Sequence, residues 1–152
     1  MPSPRRAITV AISKCLLSGF RRRAKRIWDR EAYGLLLGTK QRSTYIIEDI
    51  HYPVGWDTAG TNSYVRVTEG MWNEARQAAE WQGLTVLGDI HSHPYDGRPE
   101  ALYDTALSSK DLSLYDENYL QAVMVVVKLS GKLRTRCHFW LAGPKTTMVM
   151  LH

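Results

Sequence analysis

The sequence predicts a mixed α/β (α+β) fold, with a central sheet flanked by helices. Three observations carry this. Short runs rich in Val, Ile, Leu and Tyr alternate along the chain with stretches whose apolar residues recur at helical spacing. The chain has 152 residues, the length of a single domain with a real core. No repeat, low-complexity tract or linker divides it, so 1–152 reads as one domain.

Residues 1–6 read as a flexible arm, and Ile8 to Ile12 alternates enough to be a first strand. From Ser13 to Trp28 the apolar residues Leu16, Leu17, Phe20, Ala24, Ile27 and Trp28 share one helical face, with arginines behind. Tyr33 to Gly38 is a short apolar run closed by glycines. With Thr44 to Ile50, across the polar turn Thr39 to Ser43, it forms an antiparallel hairpin. Tyr52 to Ser63, with Pro53, Gly55, Asp57 and Gly60, is turn chemistry and carries Trp56. Thr68 caps a helix whose face is Met71, Trp72, Ala75, Ala78 and Ala79, and Gly83 ends it. Leu84 to Ile90 is a buried strand. Tyr95 to Leu107 is a polar loop, and Ser108 is an N-cap for a helix through about Tyr115. Gln121 to Leu129 and Leu133 to Ala142, joined at Ser130-Gly131, make a final hairpin.

Lys+Arg 20 against Asp+Glu 15 gives a net charge of +5. The excess is concentrated in Arg5, Arg6, Arg21, Arg22, Arg23, Lys25 and Arg26. The part from Arg21 to Arg26 reads as the solvated back of the first helix, or else a docking patch for an acidic partner or nucleic acid, although no nucleic-acid motif accompanies it. Arg5-Arg6 before Ala7 to Ile12 imitates the start of a signal peptide. Lys14 interrupts the apolar run and Arg21-Arg22-Arg23 replaces a cleavage site, so the segment reads as folded structure, with no membrane span. Cys15 and Cys137 form no C-x-x-C or finger pattern and read as buried free thiols in a reducing cytoplasm.

The chemistry concentrates in Gly88-Asp89-Ile90-His91-Ser92-His93-Pro94 and Ser108-Ser109-Lys110-Asp111. Strand periodicity turns His91 and His93 to one face, where two imidazoles can share a cation. Asp111 is a plausible third ligand, and Ser108 lies about one helical turn before it. Two His and one carboxylate leave a tetrahedral position open for water, the arrangement of a catalytic zinc. By parity Asp89 shares the face of the histidines; it either orients an imidazole or faces solvent at the sheet edge. Trp56, Tyr95 and Tyr103 fall on loops beside the site and are candidates for a peptide groove, although aromatics more often pack. His51, His138 and His152 have no ligand spacing.

H-S-H-P followed by S-x-x-D resembles the JAMM (MPN+) zinc metallopeptidases. Glu31-Ala32-Tyr33-Gly34-Leu35-Leu36-Leu37-Gly38 is similar to that family's upstream E-x-x-G-L-L-x-G strand. In the family's pattern the spacer from proline to serine is x7, whereas Tyr95 to Leu107 is thirteen residues. This enlarged loop is either a benign insertion or a substrate-facing flap, and it leaves Ser109 as the alternative to Ser108.

The resemblance implies an MPN/JAB (cytidine-deaminase-like) fold. It also implies one Zn2+ held by His91, His93 and Asp111, Glu31 as general base and then acid, and Ser108 as oxyanion donor. The activity it implies is hydrolysis after the C-terminal glycine of a ubiquitin-like protein. Compact prokaryotic relatives occur beside E1- and E2-like proteins in conjugation or antiviral defence systems. The alternatives are a peptidase that removes cysteine from a sulfur-carrier tail and a catalytically silent scaffold. Scaffold members usually lack one or more of the five residues, all of which this sequence carries.

Overall fold

The computed structural model describes residues 8–61, 67–96, 118–141 and 147–151. They form β1 (Thr9–Ser13), α1 (Lys14–Arg26), β2 (Tyr33–Gln41), β3 (Thr44–His51), α2 (Glu69–Trp81), β4 (Thr85–Asp96), β5 (Leu120–Leu129), β6 (Lys132–Leu141) and β7 (Thr147–Leu151). The strands make one mixed sheet in the order β6-β5-β4-β2-β3-β1-β7. β2 is antiparallel to both β3 and β4, while β4 and β5 run parallel. Among the described residues no helix is long and apolar enough to cross a membrane.

Both helices begin where the capping chemistry places them. Ser13 Oγ accepts from the Leu16 amide and Thr68 Oγ1 from the Met71 amide, each at 3.2 Å, satisfying amides that have no partner within the helix. Gly83 follows α2 with φ +68, a conformation that costs a residue with a Cβ. Ser130 and Gly131 both take positive φ, 53 and 76, the turn whose twist suits a two-residue hairpin.

The unalternating run Tyr33 to Gly38 is buried throughout because β2 lies mid-sheet with both faces covered. Leu36 joins Leu17, Phe20 and Ala24 of α1 in the main core, whereas Tyr33 and Leu35 pack with Ala75 of α2 on the other face. Each fully buried large apolar side chain contributes about 1.5–3 kcal/mol relative to exposure. A register shift in the β2–β4 ladder leaves Leu87 without a partner, between Val86 paired to Leu37 and Gly88 paired to Leu36. With this bulge Leu87 joins the α1-side core, and Asp89 pairs with Leu35 on the α2 face. His91 and His93 follow by strand alternation, so the bulge fixes which side of the sheet they serve.

Several expectations change. The first hairpin turn is shorter than Thr39 to Ser43, because β2 runs on through Thr39, Lys40 and Gln41, paired with Ile46, Tyr45 and Thr44. β4 continues through Tyr95 and Asp96, which pair with Val127 and Lys128, so the polar loop starts later than its composition suggests. A seventh strand, β7, follows the final hairpin and adds parallel to β1. Cys15 is exposed rather than buried. Cys137 is half-buried, and burial pushes its thiol up to about 12, so it stays protonated at neutral pH. The arm 1–6, the Ser108 helix and most of the loop 95–107 lie outside the described residues.

The basic back of α1 is more than a solvated stripe. The Arg23 guanidinium lies 3.7 Å over the Tyr52 ring and that of Arg26 5.4 Å from Trp56, which meets Tyr52 edge-on. Trp56 thus packs into the structure around α1. His51 Nε2 meets Glu74 Oε1 at 3.0 Å, tying β3 to α2.

Candidate metal centre

Three of the anticipated site residues converge. Glu31, in the turn before β2, and His91 and His93 of β4 each present one ligand atom, and these atoms lie within 4.8 Å of one another. Glu31 is 3% exposed. Its Oε1 is 3.9 Å from His93 Nε2, and the two imidazole centroids are 5.0 Å apart.

The segment around Glu31 is held from two sides. The Glu31 amide donates to Thr61 O at 2.7 Å, and the Ala32 amide donates to Ser92 Oγ at 2.7 Å. The Ser92 amide in turn donates to Ala32 O at 3.1 Å. The residue between the two histidines therefore sets the position of the glutamate. Arg30 Nε adds a bond to Asp57 O at 2.7 Å, fastening the same turn to the loop 52–61.

Asp89 is buried, not solvent-facing, and its Oδ1 lies 3.1 Å from His91 Nδ1. A carboxylate only accepts, so Nδ1 carries the proton and Nε2 is the nitrogen whose lone pair a metal would take. A carboxylate holding an imidazole that neighbours a second imidazole and a buried carboxylate is a donor set suited to Zn2+. The residues present fit the metal that the sequence implies.

Asp111, Ser108, Ser109 and Tyr103 lie outside the described residues. Of Tyr95 only the backbone, in β4, is described. Ser92 and Thr61 are not singled out by sequence. A serine between two histidines gives no spacing signal, and its value comes from a contact 60 positions away.

A family model for prokaryotic homologs of the JAB domain matches residues 13–143. The chain belongs to this family. Its fold is also that of solved structures, one of them a JAB1/MPN domain protein. A protein from Desulfitobacterium hafniense, solved in solution, aligns with a TM-score of 0.64 at 18% identity, covering 93% of this chain and 92% of that one. A JAB1/MPN domain protein from Archaeoglobus fulgidus aligns with a TM-score of 0.56 at 17% identity, covering 93% and 99%. At such identity the likeness is one of fold. None of the curated protein sequences matches this JAB-family chain.

Removing the serine hydroxyl tests the clamp. Ser92→Ala leaves the buried Ala32 amide without its acceptor, a loss of about 1–3 kcal/mol. The expected result is a lower denaturation midpoint. An unchanged midpoint would show that water replaces the hydroxyl.

Proposed function

We propose that the protein is a zinc-dependent isopeptidase that hydrolyses the bond after the C-terminal glycine of a ubiquitin-like protein, releasing it from a lysine amine or trimming its precursor. The observation that carries this reading is the placement of Glu31, a buried carboxylate within 4.8 Å of ligand atoms on two imidazoles. Burying a carboxylate is costly, and a cation held by the neighbouring imidazoles would offset part of that cost.

In this reading His91 and His93 hold the metal together with Asp111, which the H-x-H-P and S-x-x-D pattern supplies. Bound there, zinc supplies a Lewis acid and lowers the pKa of a bound water to about 7. Glu31 takes a proton from the attacking water and returns it to the departing amine, so one carboxylate serves as base and then as acid. Its fixed position between Thr61 and Ser92 spares the reaction the cost of ordering it. Ser108 donates a hydrogen bond to the oxyanion of the tetrahedral intermediate. A preference for glycine before the scissile bond would follow from a narrow channel beside the metal, because side chains would clash with its walls. E1- and E2-like proteins of a bacterial conjugation or antiviral system are the partners this reading implies.

The test is hydrolysis of ubiquitin-like proteins carrying an amine-linked reporter after the C-terminal glycine. Cleavage that a chelator abolishes and added zinc restores supports the proposal. A protein that takes up no zinc, or that takes it up and leaves every such reporter intact, overturns it. Cleavage restricted to a cysteine adduct would assign the sulfur-carrier reaction instead.

A further inference from the structure

Behind His91 lies a polar chain, buried at Asp89 and partly buried at Tyr119, that hydrolysis does not itself require. Both oxygens of Asp89 are engaged. Oδ1 meets His91 Nδ1 at 3.1 Å, and Oδ2 accepts from the Tyr119 hydroxyl at 2.5 Å. The second contact has the length of a charge-assisted O–H···O⁻ bond. Tyr33, the cross-strand partner of His91, is buried on the same face. Helix α2 covers this cluster: the Trp72 ring lies 5.7 Å from that of Tyr119, and Ala75 packs with Tyr33.

Holding the sheet together does not call for these groups. An apolar side chain at 89 would fill the space with no charge to desolvate. A carboxylate held by one imidazole alone can still turn about its own bonds. The bond from Tyr119, which reaches it from the segment entering β5, fixes the second oxygen and so the plane of the carboxylate. Burial, and after it the charge of Asp89, pushes the Tyr119 phenol well above its ordinary value, so it remains a donor throughout the neutral range.

We propose that Tyr119, acting through Asp89, is a positioning residue for His91: it fixes the tautomer and ring orientation that aim Nε2 at the metal, and α2 packs over this relay. The inference rests on the zinc reading above. It assigns α2 a role at the metal centre although no α2 residue belongs to the metal-binding group.

The experiment uses Tyr119→Phe, which removes one oxygen, beside Asp89→Asn and the double variant. Zinc affinity is measured by chelator competition, the cobalt-substituted visible spectrum reports ligand geometry, and nitrogen NMR of the metal-free protein reads the tautomer of the neutral His91 ring. Asp89→Asn is expected to weaken zinc binding about 10–100-fold. Tyr119→Phe should weaken it less, with an altered cobalt spectrum and loss of the single Nδ1–H tautomer. The double variant should bind no worse than Asp89→Asn alone, because the hydroxyl acts through that carboxylate. Unchanged affinity and tautomer in Tyr119→Phe, or additive losses in the double variant, overturn the proposal. The tautomer in the unmutated protein is an independent check if a variant fails to fold: a His91 ring protonated on Nε2 is incompatible with the relay. A wild type that takes up no zinc would remove the underlying reading, while the tautomer measurement would still judge the relay separately.

Discussion

Glu31→Gln is expected to lower hydrolysis by about 10²–10⁴-fold, the range for losing a positioned general acid–base group. The amide keeps the size and hydrogen-bonding reach of the side chain but cannot hold the proton that passes from water to amine. Zinc content should be unchanged, because in the proposed arrangement the metal is held by His91, His93 and Asp111. Kinetics and metal analysis on the same preparation check both halves. Glu31 also lies among the three residues whose ligand atoms are mutually within 4.8 Å. Loss of zinc from the Glu31→Gln variant would therefore make Glu31 a ligand, and full activity in that variant would remove it from the chemistry.

Gly60→Ala is expected to act on the same carboxylate without touching it. A Cβ at position 60 would collide with the Glu31 carbonyl oxygen and stand 3.1 Å from Glu31 Cα, so the backbone carrying Glu31 has to move. A displacement of about 1 Å at a reacting group costs on the order of 10²-fold in rate. The overpacking itself costs about 1–3 kcal/mol. The predicted result is a folded protein with zinc bound, a lowered kcat and a modestly lower melting temperature. Full activity in Gly60→Ala would mean that the loop yields and Glu31 does not depend on it. Sequence marks Gly60 only as turn chemistry; the close approach to Glu31 is a contact between the loop 52–61 and the turn before β2.

The fold is legible wherever local physics agrees with global packing. Thr68 announces α2 because capping is decided within four residues, and the helical spacing from Leu16 to Trp28 announces α1. Tyr33 to Gly38 announces a strand buried on both faces. β7 escapes a sequence reading because its pairing with β1 joins the two ends of the chain, and no local pattern encodes such a partner. The extension of β4 over Tyr95 and Asp96 escapes it for a related reason. Polar residues near a glycine read as a loop, whereas pairing with β5 keeps them extended.

By itself the sequence determined the family and two of the three residues that meet at the centre, since alternation along one strand puts His91 and His93 on a common face. It named Glu31 as well, through a motif and not through geometry. Tertiary structure alone decided that Glu31 reaches those imidazoles, that Ser92 and Thr61 hold it there, and that Asp89 is buried against His91 with Tyr119 behind it. The physical reason is range: periodicity and capping act over a few residues of one chain segment, while the centre is assembled by hydrogen bonds between segments 30 to 60 positions apart.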